Sequence, residues 1–255
     1  MSLFVGTAGW NIPRQLAEGF DSEGTALERY SSRFRAVEVN SSFHRPHKPS
    51  TWERWARLVP QDFRFAVKMP KTISHERKLV DCSETVVRFL EQAACLGPKL
   101  AVLLIQLPPR LAFDEAVATA FFELLSSLTD VKIVCEPRHP SWFADAPDAM
   151  LAHYRIARAA ADPAPVPTAA LPGGWRGLSY WRLHGSPVMY RSEYGDERLA
   201  RYAVRLSEAQ NQSSDVWCMF DNTASSAAAS DALRLTANLT AKPDGRHLSR
   251  PPVAQ

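Results

Sequence analysis

The sequence lacks several features that would assign it to a class of protein at once. Its four cysteines lie far apart and form no CxxC pair, so we expect no structural zinc site and a reduced, cytoplasmic protein. The 255 residues contain no apolar run near the roughly 20 residues that a membrane span requires. No basic segment followed by an apolar one opens the chain, and we therefore expect no signal peptide. A formal net charge of +3 is too small to indicate nucleic-acid binding by itself.

Short catalytic and nucleotide-binding motifs are missing as well. The sequence contains no GxSxG turn, no Walker loop and no dinucleotide-binding fingerprint. It has no HxH or HExxH spacing, so we predict no metal and no cofactor. A metal site assembled from single residues on separate strands is the alternative. Its candidate ligands are Glu38, His75, Glu136, Asp162, His184 and Asp221.

What the sequence does contain is a series of short apolar runs that end in ionisable or amide side chains. Such runs, separated by helix-length segments, are typical of parallel strands that are buried on both faces. Burying an unpaired polar group costs roughly 2–7 kcal/mol on transfer scales. The repeated occurrence of polar side chains at the ends of these strands therefore indicates a functional site there. The runs are residues 36–40, 65–68, 102–106, 133–139 and 180–185.

The order of the elements predicts an α/β fold. We predict strands at 3–7, 36–40, 63–68, 99–106, 131–136, 155–162, 178–184 and 216–222. Helices are predicted at 26–34, 83–96, 114–128, 148–153, 197–209 and 225–239, with a further helix whose N-cap is Ser50. Eight strands that alternate with helices predict a single-domain TIM (β/α)8 barrel over residues 1–241, with a doubly wound open sheet as the alternative. Residues 163–177 are predicted to be a long loop and residues 242–255 a flexible tail.

Alternation within the strands places polar side chains on shared faces. Glu136 and Arg138 share a face at the end of the fifth strand, and Arg182 and His184 share one on the seventh. In a barrel this face must be the interior near the mouth, because a guanidinium in the helix layer would have no water and few partners. The groups either form structural ion pairs with one another or form a site, and we favour the site.

The charge of the converging side chains indicates the kind of ligand. Lys68, Arg138 and Arg182 would compete with a metal for the same carboxylates, and they suit an anion such as phosphate or carboxylate. Residues 43–45, together with Trp52 and Trp55, also mix aromatic and basic groups as base-stacking surfaces do. For the two tryptophans, we favour core packing over base stacking.

Five motifs occur in the same order as in a known family. They are GTAGW at 6–10, VEVNSSFHR at 37–45, QLPP at 106–109, EPRHPSW at 136–142 and RLHG at 182–185. Together they resemble the DUF72, or YecE-like, family over about residues 3–240. The resemblance implies a TIM barrel, in agreement with the strand pattern, and it implies no established reaction.

We therefore predict an enzyme that acts on a small anionic or polyhydroxylated substrate at the C-terminal mouth of the barrel, with its reaction class and oligomeric state left open. A carboxylate tuned toward a neutral pKa would be its general acid or base, and the predicted catalytic residues are Glu38, Glu136 and His184. The predicted substrate-binding residues, of which Arg182 is expected to matter more for binding than for folding, are Asn40, Arg45, Lys68, Gln106, Arg138, His139, Arg182 and Asn222. One alternative is a nucleic-acid-binding or -processing protein, by analogy with barrel endonucleases, and the other is a non-catalytic ligand-binding protein.

Overall fold

Parallel strands alternate with helices along the chain, whose computed structural model describes residues 2–213 and 215–240. The strands are β1 (Ser2–Thr7), β2 (Ala36–Val39), β3 (Arg64–Lys68), β4 (Leu100–Gln106), β5 (Lys132–Glu136), β6 (Ile156–Arg158), β7 (Ala160–Asp162), β8 (Gly173–Gly174), β9 (Leu178–Leu183) and β10 (Asp215–Phe220). The α-helices are α1 (Ala26–Ser31), α2 (Ser41–His44), α3 (Pro49–Leu58), α4 (Ser83–Ala93), α5 (Glu115–Leu128), α6 (Asp145–His153), α7 (Asp196–Gln210) and α8 (Ala228–Thr240).

The strands form two hydrogen-bonded sheets. One has the order β1-β10-β9-β7 and the other the order β2-β3-β4-β5-β6-β8, and the short β8 pairs antiparallel to β6. An isolated parallel bridge between Ala8 and Glu38 joins the β1 side of one sheet to the β2 side of the other. On the opposite side, the chain passes from β6 in one sheet to β7 in the other across Ala159. The strands thus follow one another in the order of a (β/α)8 barrel whose ladder is interrupted at two places. The predicted α/β class with parallel strands is confirmed.

A tyrosine hydroxyl accounts for the interruption between β1 and β2. The backbone N–H of Thr7 donates to Tyr30 Oη at 2.9 Å, and this hydroxyl donates to the carbonyl oxygen of Ala36 at 3.0 Å. The strands approach closely here because Gly6 has no side chain, and a Cβ at this position would lie 2.2 Å from the Ala36 carbonyl oxygen. Tyr30 therefore satisfies both backbone groups without a direct bond between the strands.

The interior of the strand layer is a packed core. Small residues such as Ala36 and Ala66 share it with Tyr180 and Trp217, whose rings stack at 6.0 Å. This combination of small and large side chains fills the space between the strands and leaves polar groups to its C-terminal end. Side chains that point the other way, such as Trp181, pack in the larger core between strands and helices.

Some predicted elements differ from those observed. The predicted sixth strand, 155–162, is divided between β6 and β7, and the predicted loop 163–177 contains the 3-10 helix Pro167–Ala170 and β8. The helix predicted to be capped by Ser50 begins at Pro49, because proline's fixed φ suits the first helical position. The predicted tail, 242–255, lies outside the described residues.

Two further sequence predictions concern surfaces. Trp52 and Trp55 are 1% and 8% exposed, so core packing rather than base stacking is the correct interpretation of these side chains. Within the described ranges, none of the helices has the length and apolar character that crossing a bilayer requires.

Candidate functional site

An arginine from β9 lies at the centre of a charged cluster at the C-terminal ends of the strands. Arg182 is fully buried, and its Nε and Nη2 donate to the two carboxylate oxygens of Glu38 at 2.9 and 2.6 Å. Its Nη1 donates to Glu136 at 2.5 Å, and Nη2 also donates to Asp221 at 3.0 Å. The hydroxyl of Tyr180 donates to Glu38 at 2.9 Å. Four strands, β2, β5, β9 and β10, are thus connected through one guanidinium.

The arginines determine the ionisation of the carboxylates around them. Burial disfavours the ionised form of Glu136, but the charges of Arg182, Arg138 and His184 outweigh it, so the pKa of Glu136 lies well below its usual range. Burial likewise opposes ionisation of Asp221, and Arg182 and His184 again lower its pKa. The expectation of a carboxylate tuned toward neutral pKa is therefore wrong for Glu136, because neighbouring cations decide the direction of the shift.

His184 and Arg138 form the next layer toward the mouth. The His184 ring is held between two carboxylates, with Nδ1 3.0 Å from Asp221 Oδ2 and Nε2 2.8 Å from Glu136 Oε1. Arg138 Nε donates to Glu136 at 2.9 Å, and Arg138 Nη2 lies 3.1 Å from His184 Nε2. Arg138 Nη1 has a weaker contact, 3.8 Å from the sulfur of Met189. Arg138 therefore retains donor capacity, whereas Arg182 is enclosed by carboxylates.

Lys68, the last residue of β3, is a buried cation that has no carboxylate partner among the described residues. Its ammonium lies 4.1 Å from the centre of the Phe43 ring and makes no hydrogen bond or ion pair with residues 2–213 or 215–240. The side chain is 7% exposed, and its nitrogen is not among the polar atoms that are sealed from solvent without a partner. Burial, followed by the charge of Arg182, lowers the pKa of Lys68 to about 8, although nearby carboxylates act in the opposite direction.

His75 lies beside Lys68, in the short π-helix Thr72–Glu76. Its ring packs edge-on against Phe43 with centroids 5.0 Å apart, and its Nδ1 lies 2.9 Å from Ser74 Oγ. Burial and the positive charges of Lys68 and Arg138 lower the pKa of His75. The imidazole is therefore neutral at pH 7 and can accept a proton.

Two amide side chains at the mouth carry unused hydrogen-bonding groups. Gln106, at the end of β4, is in register with Glu136 and makes no side-chain hydrogen bond within the part of the chain that the structure describes. Asn40 Nδ2 lies 3.5 Å from Asp221 Oδ1, and Asn40 Oδ1 is sealed from solvent without a partner among the described residues. The Gln106 amide can position a hydroxyl of a ligand.

The structure brings most of the predicted site residues together. Those in or beside the cluster are Glu38, Asn40, Lys68, Gln106, Glu136, Arg138, Arg182 and His184. Glu38, Glu136, Arg182 and His184 each have 0% exposure. In this structure the hydrogen-bonding groups of these four side chains are directed at one another and at Asp221 and Arg138, so the four hold the cluster together.

Three predicted substrate-binding residues lie elsewhere. Arg45 is exposed and lines a neighbouring cavity of about 260 Å³ between α3 and α4. His139 Nδ1 accepts from the backbone N–H of Ser141 and caps the 3-10 helix Pro140–Phe143. Asn222 Nδ2 donates to the carboxylate of Asp231 in α8 at 2.7 Å. His139 and Asn222 thus have local structural partners, and Arg45 lies at a different cavity. Their positions after strands alone do not distinguish them from the residues of the cluster.

The sequence-based site also omitted residues that belong to the cluster. Tyr180 could have been found, because it shares a strand face with Arg182 two positions away. Asp221, which follows β10, is named by the sequence only as a candidate ligand of the alternative metal site, on the basis of its position at a strand end. The contacts of Phe43 with Lys68 and His75 have no signal in the sequence, since they join loops and strands that are distant along the chain.

We expect the purified protein to carry no stoichiometric transition metal. Among the described residues, no group of three or more His, Cys, Asp and Glu side chains could hold a metal ion. The acidic side chains of the cluster already accept from Arg182 and Arg138, which would repel a cation. Elemental analysis after expression in metal-supplemented medium measures this directly, and about one zinc, manganese or iron per chain would contradict the prediction.

Comparison with sequence families and curated proteins gives consistent matches. A family model described as a protein of unknown function, DUF72, matches residues 4–255. The UPF0759 protein YecE of Escherichia coli K12 is 33% identical over 143 residues, which are 56% of this chain and 50% of YecE, so the match spans about half the length of that relative. The UPF0759 protein YunF of Bacillus subtilis 168 is 24% identical over 263 residues, or 91% of this chain and 93% of YunF.

Solved structures share the architecture. A DUF72 family protein of Enterococcus faecalis V583 aligns with a TM-score of 0.80 and 20% identity, over 95% of this chain and 97% of that one. A DUF72 family protein of Thermotoga maritima MSB8 aligns with a TM-score of 0.77 and 22% identity, over 94% and 99% of the two chains. At these identities the likeness concerns the fold alone.

Proposed function

This chain belongs to the DUF72 family, and we propose that it is an enzyme that binds a small anionic substrate at the C-terminal mouth of its barrel. The observation that carries the proposal is a pair of neighbouring cations that retain donor capacity toward a ligand. Lys68 has no hydrogen-bonding partner among the described residues. Arg138 pairs with Glu136 and interacts with Tyr190, and its Nη1 makes a long contact, 3.8 Å, with the sulfur of Met189. A phosphate or carboxylate oxygen would supply an acceptor to Lys68 and a further one to Arg138.

The cluster beneath these two cations supports a defined site. Arg138 is held through Nε by Glu136, which is held in turn by the buried Arg182. Because every link is a charge-assisted hydrogen bond, the position of the Arg138 guanidinium is fixed before a ligand arrives. Gln106 adds an amide that makes no side-chain hydrogen bond to the described residues, which suits a substrate that carries hydroxyls as well as an anionic group.

The distribution of charge favours a small anion over a nucleic acid. Three carboxylates, Glu38, Glu136 and Asp221, lie directly among the cations of the cluster. Positive charge at the mouth is therefore local and directed, rather than an extended basic surface that could follow a phosphate backbone.

Lys68 and His75 supply the proposed chemistry. Burial and the charge of Arg182 lower the pKa of Lys68 to about 8, and burial and nearby cations lower the pKa of His75. Groups that ionise near the working pH are the efficient general acids and bases. We assign proton transfer to Lys68 and His75, in place of the enclosed Glu38, Glu136 and His184.

Titration calorimetry with inorganic phosphate, a sugar phosphate and a small dicarboxylate tests this function. We expect at least one of these probes to bind. We expect Lys68→Met and Arg138→Met each to raise the Kd of that probe by about tenfold or more, because a hydrogen bond to a charged group contributes about 1.5–3 kcal/mol. Arg35→Met is the matched control, since it removes one positive charge from an exposed side chain that pairs with Asp62.

The outcomes separate the proposal from its alternatives. Unchanged binding in both mouth variants, or a loss in the Arg35→Met control of the same size, would contradict the proposal. Absence of binding by all three probes, combined with DNA affinity that falls steeply with salt, would support the nucleic-acid alternative. Catalysis requires turnover of the bound probe or a derivative of it, and tight binding without turnover would support the ligand-binding alternative.

A further inference from the structure

The surroundings of Lys68 differ from those of the other lysines that the fold holds in place. Lys99 Nζ donates to the carbonyl oxygens of Ala56 and Val59 at 2.6 Å each, and Lys132 pairs with Asp215 at 2.5 Å. Both therefore have structural roles. The Lys68 amine instead lies against the Phe43 ring, and the described residues offer it no oxygen partner. Its position needs another explanation.

We propose that Lys68 is a carbonyl-reactive amine, which forms an imine with an aldehyde or ketone carried by the small anionic substrate. The inference rests on the proposed function, because the anion contacts of Arg138 would place the carbonyl group of the substrate near the amine. It goes further by naming the reacting group of the substrate and the nucleophile.

Three observations agree with this role. The stem of Lys68 is buried, so its nitrogen is presented from a fixed direction, and that nitrogen is not sealed from the mouth. The pKa of Lys68 is lowered to about 8 by burial and by Arg182. About one tenth of the amine is then unprotonated at pH 7, against far less than a hundredth for an ordinary lysine. Desolvation beside another cation is a general way of activating a lysine nucleophile.

The reaction balances without an oxidant, a reductant or a metal. The lone pair of the unprotonated amine attacks the carbonyl carbon and forms the C–N bond, while the C–O π electrons move to the oxygen, which takes a proton. The nitrogen loses a proton in the same stage, and a neutral carbinolamine results. A second proton on its hydroxyl allows water to leave as the nitrogen lone pair forms the C=N bond. Protonated amine and carbonyl compound thus give a protonated imine and one water.

His75 is the proton carrier that the geometry offers. Its ring contacts the same phenyl group as Lys68, and burial together with the charges of Lys68 and Arg138 lowers its pKa, which keeps the imidazole neutral. A neutral imidazole can take the proton that the nitrogen loses and return it to the departing hydroxyl.

Reductive trapping tests the proposal. The purified protein is incubated at pH 7 with cyanoborohydride together with one carbonyl probe at a time. The probes are pyruvate, glyoxylate and glycolaldehyde phosphate, and adducts are located by peptide mass spectrometry. We expect one adduct per chain with at least one of these probes, at Lys68, forming about tenfold or more faster than at the exposed Lys71, because its amine is more often unprotonated. Lys68→Arg should abolish this adduct, and Lys68→Gln provides the same readout if the arginine variant does not fold.

The possible outcomes separate the imine from the anion site. Adducts spread evenly over surface lysines, or an unchanged adduct in Lys68→Arg, would overturn the inference. Phosphate binding that depends on Arg138 without any trapping at Lys68 would refute the imine and leave the proposed function standing. Trapping at Lys68 by uncharged glycolaldehyde, without an advantage for its phosphate ester and without phosphate binding, would support the reactive amine and refute the anion site.

Discussion

Replacing Arg182 with methionine is expected to lower the free energy of unfolding by about 3–5 kcal/mol, the loss typical of a buried ion pair that is deprived of one partner. The substitution keeps most of the side-chain volume but leaves Glu38, Glu136 and Asp221 without the cation they share. The sequence alone favours a larger effect on ligand binding than on folding. Because the Arg182 guanidinium has 0% exposure and is enclosed by carboxylates, we expect the larger effect on folding.

Denaturant unfolding without ligand measures this loss. The matched control is Arg201→Ala, which breaks an exposed pair with Glu197 at 2.8 Å and should change stability by less than about 1 kcal/mol. Combining Glu38→Gln with Arg182→Met should cost less than the sum of the single changes, since the two residues share one network. If Arg182→Met lowered the free energy of unfolding by no more than the control does, the prediction would be wrong and Arg182 would be better explained as a ligand contact.

Acid should destabilise the protein steeply below about pH 4.5, where carboxylates of the unfolded chain begin to bind protons. Despite the opposing effect of burial, Arg182 and its neighbours hold the pKa of Glu136 well below its usual range and also lower the pKa of Asp221. For a group whose pKa is lower in the folded state, the stabilisation is complete above the unfolded pKa and is lost as the pH falls toward the folded pKa. We therefore expect a nearly constant contribution from these carboxylates between pH 7 and pH 5.

The slope of the unfolding free energy against pH measures the protons taken up on unfolding. Glu136→Gln should reduce that slope between pH 4.5 and pH 3 by up to one proton, or about 1.4 kcal/mol per pH unit. Glu28→Gln is the control, because the pKa of Glu28 is also lowered but its carboxylate lies at the surface, in a capping box with Thr25. Should Glu136→Gln fail to fold, Asp221→Asn provides the same readout. An unchanged slope in both buried variants would show that the ion network does not govern acid stability.

Local patterns in the sequence predicted much of the fold. Apolar runs located the strands to within a few residues, since a strand buried on both faces must be apolar along its length. Alternation placed Arg182 and His184 on the inner face and Trp181 on the outer one, because successive side chains of a strand point in opposite directions. The division of the predicted sixth strand between two sheets was not predictable, since it depends on which neighbours each half pairs with.

The sequence by itself determined that polar residues gather at one end of a parallel α/β structure, because each strand carries that information in its own few residues. Only the tertiary structure decided which of these residues neutralise one another. Glu38 and Arg182 are 144 positions apart, and no local pattern indicates that one carboxylate takes two donors of that guanidinium. The same long-range contacts leave Lys68 without a carboxylate partner among the described residues. Burial and pairing depend on distances in space, and these distances distinguish Arg182, which is enclosed by carboxylates, from Lys68, for which we propose a substrate contact.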